Sequence, residues 1–254
     1  MLPEALLLAA AFLAGAINTV AGGGTLLTFP SLLRYGLDSV RANATSTLAL
    51  LPASLAGAWG LRRELAGTGP WLWLLGPPSL LGGAVGSLLM TGLDKRYFEA
   101  LVPWLLLTAS LLFLAQPWLA NRFVKHPAHG MPPGRVRVAV VFFQFLVAVY
   151  GGYFGAGIGI LMLTALAFMG LGDIHRMNAV KGILAALING VAAVVFAAQG
   201  VVEWRMVGLM AVAGIGGGLA GAAGGRLVPK VAVRWFVIAV GLGLAAYYFL
   251  KRAD

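Results

Sequence analysis

The chain alternates long apolar runs with short polar stretches. From Leu2 to Leu33 the only charged residue is Glu4. Seven further runs follow at about 43–61, 70–93, 97–120, 136–171, 177–202, 206–225 and 235–250. Each is close to, or longer than, the roughly 20 apolar residues that a helix needs to cross the hydrocarbon core of a membrane. The pattern therefore predicts an all-α polytopic membrane protein with eight hydrophobic segments.

The composition agrees with this prediction. Of the 254 residues, 60% are hydrophobic and 10% are charged, whereas an ordinary soluble domain is about 25% charged. The first run is predicted to be mature structure, because a secretory signal has a basic n-region and a shorter apolar part. There is no cysteine, which excludes disulfides and thiolate metal sites. We predict neither a cofactor nor a metal site.

The net charge is +10, from 18 Lys and Arg against 8 Asp and Glu. In a soluble protein such an excess would favour nucleic acid as a partner. Here the basic residues lie between the apolar runs, where Lys and Arg contact anionic lipid headgroups. Membrane lipids are therefore the predicted partners of these residues, and nucleic acid is not.

A basic loop rich in proline and glycine, ANRFVKHPAHGMPPGRVR, divides the eight segments into four and four. The predicted organisation is an N-terminal transmembrane repeat at 1–120, a linker at 121–136 and a C-terminal transmembrane repeat at 137–254. A shift of 135 positions places DSVRANA on DIHRMNA without a gap. Because Asp, Arg and Asn are rare in this chain, the shared pattern indicates a duplication. Duplicated halves with matching glycine-broken segments are typical of secondary transporters.

The loop charges favour inverted repeats. If all eight segments cross the membrane, both halves have the same orientation, and Lys and Arg divide 9 to 9 between the two sides. If the first segment of each half is re-entrant, each half crosses three times, and Lys and Arg divide 11 to 7. The positive-inside rule therefore gives a mild preference for inversion.

The first segment of each half contains a cluster of glycines. Pro3 to Leu33 would span about 46 Å as a straight helix, well beyond a hydrocarbon core of roughly 30 Å. Each interior glycine costs a helix about 1 kcal/mol relative to alanine, so Gly22 to Gly24 predict a break. GGYFGAGIG, residues 151–159, is the corresponding stretch of the second half. The alternative role, close helix packing, suits Gly15, Gly151 and Gly216 to Gly218 better.

A break inside the bilayer exposes backbone groups that need partners, because an unpaired N–H or C=O in hydrocarbon costs several kcal/mol. The helix that follows a break presents free N–H groups and the positive end of its dipole, which suits an anion. Two breaks that face each other across the repeat interface would form one anion-binding site.

A polar stripe on the second segment of each half predicts another wall of this site. The aligned positions on one helical face are Asn43, Ser46 and Ser54 in the first half and Asn178, Lys181 and Asn189 in the second. Lys181 lies about one turn inside its segment, where a charge is costly and usually functional; the alternative is a lysine that reaches the interface. No Asp or Glu lies in the middle of a segment, so a small anion fits better than a cation.

The reactive side chains of the chain argue against an enzymatic function. The histidines, His126, His129 and His175, all lie in predicted loops. There is no G-x-S-x-G nucleophile motif, and no acid-base pair or metal cluster falls inside a segment. We therefore predict that the protein is not an enzyme.

The glycine breaks and the R-x-N-A repeat resemble the TauE/SafE family of sulfite exporters over nearly the whole chain. The resemblance implies an inner-membrane permease of a bacterium or archaeon for sulfite, sulfoacetate, thiosulfate or other sulfonates. The family's Asn-Ala pair falls on Asn43 and Asn178 with the alanines that follow them. Many members have a proline where this chain has Ala165, the position aligned with Pro30.

The predicted function is a secondary transporter of a small, sulfur-containing anion that works by alternating access. The alternatives are a channel-like anion facilitator, a lipid-binding scaffold or, less favoured, an intramembrane enzyme. The candidate substrate-binding residues are Asn18, Gly22, Gly23, Gly24, Thr25, Asn43, Ser46, Tyr153, Gly155, Gly157, Gly159, Asn178, Lys181 and Asn189.

Overall fold

The structure is a computed structural model that describes residues 2–20, 23–123, 134–171, 173–224 and 230–253. The described residues form α-helices and no β-strand. The helices are α1 (Leu2–Val20), α2 (Thr25–Tyr35), α3 (Ser39–Gly60), a 3-10 helix (Arg62–Leu65), α4 (Gly69–Gly92), α5 (Lys95–Phe123), α6 (Gly134–Tyr153), α7 (Ile158–Phe168), α8 (Ile174–Ala198), α9 (Trp204–Gly224) and α10 (Lys230–Ala253). The predicted all-α class is confirmed.

Five of the described helices are long and apolar enough to cross a membrane. They are α4, α6 and α8 in full, with Lys95–Ala115 of α5 and Trp204–Ala223 of α9. Large apolar side chains such as Trp73 and Val212 are 83% and 75% exposed, as expected of a surface that faces lipid. The chain is an integral membrane protein.

The helices on either side extend into the proposed linker of 121–136. α5 continues to Phe123 and α6 begins at Gly134, so both ends of the proposed linker are helical. Residues 124–133, which include His126 and His129, lie outside the described residues. The polar character of the stretch did not reveal these helical ends, because Arg and Lys are good helix formers.

Both glycine clusters interrupt a helix, the first between α1 and α2 and the second between α6 and α7. Gly23, Gly155 and Gly157 have φ angles of 123°, 84° and 79°. This region of conformational space is open to glycine and strained for other residues. The glycines are therefore needed where the chain changes direction, and Gly22 lies outside the described residues.

After the first break, the chain turns back on itself. Gly24 lies against the backbone of Ala14, and the far end of α2, at Arg34 and Tyr35, lines the same groove as Leu6 near the start of α1. α1 and α2 therefore form a helical hairpin and not one long rod.

Close contacts of glycines with carbonyl groups join α1 to α9 and α6 to α4. The contact pairs are Phe12–Gly217 and Ala16–Gly221 between α1 and α9, and Phe145–Gly82 and Val149–Gly86 between α6 and α4. The numbers rise by four on both partners in each case, so the two helices of each pair run parallel. Absence of a side chain lets the backbones approach this closely.

The second break also forms a hairpin. Trp71, at the start of α4, donates from Nε1 to the carbonyl of Met169, just after α7, at 3.2 Å. Because α4 runs parallel to α6, the end of α7 lies level with the start of α6. α7 therefore runs back along α6, as α2 runs back along α1.

The two halves also pack alike elsewhere. Gly83 lies against the carbonyl of Ile188, and Gly218 lies against the carbonyl of Ala53. Gly83 and Gly218 are 135 positions apart, and so are Ala53 and Ile188. This is the shift that relates the two halves of the sequence. Contacts made by α4 with α8 are thus repeated by α9 with α3.

Gly217 and Gly208, both in α9, provide a matched test of this packing. A Cβ at Gly217 would collide with the backbone of Phe12, whereas one at Gly208 would meet nothing within 4 Å. We expect Gly217→Ala to lower the free energy of unfolding by about 1–3 kcal/mol through overpacking. Gly208→Ala should leave it unchanged or raise it by up to about 1 kcal/mol through helix propensity. Thermal unfolding in detergent measures both, and equal midpoints would contradict the close α1–α9 contact.

Candidate functional site

A small cavity lies where the tips of the two hairpins meet α3 and α8. The volume that the centre of a water molecule can occupy is about 30 Å³, so the cavity can hold roughly two waters. Its lining residues are Asn18, Thr19, Thr25, Ser54, Gly57, Ala58, Leu61, Gly155, Ile158, Gly159, Met162, Asn178, Lys181, Gly182, Ala185 and Asn189.

The two glycine breaks face each other beside this cavity. A Cβ placed on Gly23 would lie 3.7 Å from the backbone nitrogen of Gly157, and one placed on Gly155 would lie 3.9 Å from Oγ1 of Thr25. The ends of all four hairpin helices therefore converge on one place. Such convergence brings helix termini, with their unpaired backbone groups, close to a shared space.

Lys181 provides the charge of the cavity. Its side chain is 2% exposed, and Nζ donates to the carbonyls of Asn18 and Thr19, each at 3.3 Å, and to Oδ1 of Asn178 at 2.9 Å. The two carbonyls belong to the last turn of α1, where the helix dipole is negative. The lysine is therefore buried and fixed, not extended to the membrane interface.

Among the described residues, no carboxylate lies within 4.0 Å of Lys181. The ion pairs between described residues, Arg41–Asp38 and Arg205–Glu4, do not involve it. A buried charge without a partner of opposite sign is costly. The α1 carbonyls offset part of this cost as dipoles. The remaining positive potential in the cavity favours an anion.

Asn18 holds the first break closed. Its Oδ1 accepts hydrogen bonds from the N–H groups of both Gly23 and Gly24, each at 2.9 Å. These are two of the donors that the sequence assigned to a bound anion. In this structure the side chain of Asn18 occupies them, so the first break presents no free glycine N–H from Gly23 or Gly24 to the cavity.

The second break is held differently: the N–H of Gly155 donates to the carbonyl of Tyr150 at 3.2 Å, and the donors that stay open lie further on, at the start of α7. The hydroxyl of Tyr150 donates to the carbonyl of Ala156 at 2.8 Å. α7 then begins after Gly157 without a side-chain cap, and its first-turn residues Ile158 and Gly159 line the cavity. The first N–H groups of a helix have no partner within the helix. The N-terminus of α7 is therefore the helix end available to an anion.

Two neutral side chains are further hydrogen-bond donors without a partner in the cavity. Asn189 and Thr25 are 9% and 7% exposed and line the cavity. Neither the Asn189 amide nor the Thr25 hydroxyl makes a hydrogen bond with another described residue. By contrast, the Ser54 hydroxyl donates to the carbonyl of Leu50 at 3.0 Å. Because both side chains line the cavity and have no partner among the described residues, they are free to bind a ligand there.

Seven of the fourteen sequence-predicted residues line the cavity, and six other described ones do not. Those in the lining are Asn18, Thr25, Gly155, Gly159, Asn178, Lys181 and Asn189. Those outside it are Gly23, Gly24, Asn43, Ser46, Tyr153 and Gly157, while Gly22 lies outside the described residues.

Asn43 and Ser46 lie outside the cavity, where the Asn43 amide nitrogen and the Ser46 hydroxyl contact other helices. Nδ2 of Asn43 donates to the carbonyl of Tyr153 at 3.0 Å and lies 2.9 Å from the sulfur of Met90. Ser46 is hydrogen bonded to Thr28. These contacts join α3 to the end of α6, to α4 and to α2. The first-half stripe therefore serves packing, and only Ser54 of it reaches the cavity.

Several lining residues were not predicted. Thr19 was signalled by its place beside Asn18, whereas Ser54 belongs to the polar stripe that the sequence predicts as a wall of the site. The apolar wall has no such signal: Ile158, Met162 and Ala185 are ordinary residues of an apolar segment. Only the three-dimensional packing distinguishes them from residues that face lipid.

The fold and the cavity define a helical membrane protein with a buried polar site between two hairpins. The family model for the sulfite exporter TauE/SafE family matches residues 7–248. The chain therefore belongs to the sulfite exporter TauE/SafE family, as its motifs predict.

Three relatives are named as probable membrane transporters. One from Haemophilus influenzae is 28% identical over 215 residues, which cover 83% of this chain and 80% of the relative. ORF9 of Sinorhizobium sp is 27% identical over 254 residues, covering 94% and 90%. YfcA of Escherichia coli K12 is 29% identical over 162 residues, covering 63% and 57%. These names support a membrane transporter and not an enzyme.

Asn18→Leu tests whether the Asn18 side chain stabilises the first break by accepting the hydrogen bonds of Gly23 and Gly24. The substitution leaves the N–H groups of Gly23 and Gly24 without their acceptor, and each unsatisfied buried donor costs about 1–3 kcal/mol. We expect a lower midpoint of thermal unfolding for Asn18→Leu than for the wild-type chain. Asn18→Asp keeps an acceptor oxygen and should retain more stability. Equal losses in the two variants would contradict the capping role.

Proposed function

We propose that the protein is a secondary transporter of a small anion in a prokaryotic inner membrane. The observation that carries the proposal is Lys181, a buried cation that lines the cavity without a carboxylate partner among the described residues. A bound monoanion would complete the charge balance of this cavity. Charged residues inside membrane proteins usually mark the path of a substrate.

A sulfur oxyanion is the favoured substrate. The open donors are the Asn189 amide, the Thr25 hydroxyl and the N-terminus of α7, which together suit an anion with several acceptor oxygens around one centre. Hydrogen bonds from these groups to sulfite or sulfonate oxygens would be charge-assisted. The family name, sulfite exporter, supports the same choice. The small cavity favours sulfite over longer sulfonates in this conformation.

Inverted repeats account for the helix directions. The start of α3, at Asn43, contacts the end of α4, at Met90, so α3 and α4 are antiparallel. α1 and α3 each run parallel to α9, and α6 runs parallel to α4. α1 and α6 therefore point in opposite directions, which supports two inverted repeats of four hydrophobic segments with a re-entrant hairpin first in each.

Alternating access around the cavity is the proposed transport mechanism. The partly exposed Asn178, Gly182 and Ala185 place an opening near the start of α8. On the side of the second break, the ring of Phe154 packs edge-on to Phe29, with centroids 5.4 Å apart. Inverted repeats related by such packing can exchange the open and closed sides by a rocking motion.

Transport by purified protein in liposomes tests the function. We expect saturable uptake of labelled sulfite that unlabelled anion accelerates from the opposite side. Asn189→Leu should lower the apparent affinity by about tenfold or more, because it removes a ligand hydrogen bond. Gln199→Leu is the control, since this exposed amide lies at the C-terminal end of the same helix, α8, and outside the cavity. No flux of any sulfur oxyanion or carboxylate would overturn the proposal, and flux without counterflow would favour a channel-like facilitator.

Reporter fusions test the inversion independently of the substrate. Inverted repeats predict that a fusion after Arg63 lies on one side of the membrane, and that fusions after Asp94 and Arg205 both lie on the other. If all eight segments cross, fusions after Arg63 and Arg205 share a side and the one after Asp94 is opposite. Enzymatic reporters active on only one side of the membrane distinguish the two patterns.

A further inference from the structure

The ammonium of Lys181, a residue of α8, lies at the end of the half-helix α1, a position that is suited to a free cation. α1 ends before the first break, and the carbonyls of Asn18 and Thr19 in its last turn accept hydrogen bonds from Nζ. Oδ1 of Asn178 provides the third oxygen. Helix C-termini attract cations, because their last carbonyls lack partners and the dipole is negative there.

The three contacts favour the protonated state of this group. A lysine amine can donate three hydrogen bonds only as an ammonium, and here all three partners are oxygen acceptors. The orientation of the Asn178 amide is fixed independently, since its Nδ2 donates to the carbonyl of Ile174 at 2.9 Å. The site is therefore three oxygen atoms around one monovalent cation.

In secondary transporters built on broken helices, the C-terminal ends of half-helices and unwound carbonyls coordinate the coupling Na⁺. In this chain the same kind of position is filled by a covalently tethered ammonium. We propose that Lys181 replaces the coupling cation, so that this protein moves its anion without Na⁺. The proposal rests on the proposed anion transport and adds the ion requirement of the same site.

The corresponding contact at the end of the other half-helix, α6, supports the assignment by contrast, because no charge is involved there. The carbonyl of Tyr153, at the end of α6, corresponds to that of Asn18 at the shift of 135 positions. It accepts a hydrogen bond from the neutral amide of Asn43, and the position aligned with Lys181 is Ser46. Both half-helix ends are thus bound by a side chain from the opposite half. Only the one beside the cavity receives a positive charge.

Chemical rescue tests the cation site without any anion. Lys181→Ala removes three methylene groups and the ammonium, which n-propylammonium replaces closely. We expect Lys181→Ala to lower the unfolding midpoint in detergent by about 3–6 °C. n-Propylammonium chloride should restore part of this loss, whereas 1-propanol, of the same size but uncharged, should not.

Two further variants control this measurement. Lys181→Met fills the same space without a charge and should not respond to n-propylammonium. Lys181→Ala combined with Asn178→Leu removes one of the three oxygens and should respond less than Lys181→Ala alone. An equal response of Lys181→Ala and Lys181→Met would overturn the cation site.

Flux in liposomes tests the ion requirement. Wild-type sulfite flux should be the same in Na⁺ and in choline media and should not change with a Na⁺ gradient. Flux that rises with an inward Na⁺ gradient would overturn the proposal while leaving anion transport intact. A chain that moves no anion but still shows the rescue by n-propylammonium would instead contradict the proposed function alone.

Discussion

The pairing of backbone groups at the two helix breaks is the constraint on which the rest of the structure depends. Within hydrocarbon, an open N–H or C=O needs a partner, and each break has its own. Asn18 pairs the N–H groups of Gly23 and Gly24, and Tyr150 pairs the carbonyl of Ala156. Lys181 and Asn43 pair the ends of the two half-helices. What is left open, the N-terminus of α7, lies on the cavity.

Glycine serves two opposite purposes in this chain. In α9 and α4 it removes side chains so that helices touch, as at Gly217 and Gly82. At the breaks it permits positive φ angles, as at Gly155 and Gly157, and so ends one helix and starts another. The first use makes a rigid frame of parallel helix pairs. The second places two irregular turns within that frame, where the surrounding helices supply their hydrogen bonds.

The sequence predicted the breaks, the charge and much of the cavity, because rare residues carried the signal. Lys181 and Asn189 are unusual in an apolar segment, and three adjacent glycines interrupt a helix whatever surrounds them. It did not separate Asn43 from Asn178, since both occupy aligned positions of one motif. Their roles differ through partners from distant segments, Tyr153 and Met90 for Asn43 and Lys181 for Asn178. Local pattern alone contains no information on such contacts.

The duplication therefore gives two similar frames but one charged cavity. With the tethered ammonium in place, the empty cavity has a charge of one, and a bound monoanion makes it neutral. Moving a buried charge through a low-dielectric interior is costly, whereas moving a neutral pair costs less. On the proposed mechanism, the loaded form therefore changes its open side more readily than the empty form. An asymmetry of one residue, Lys181 against Ser46, thus favours exchange of anions over their net release.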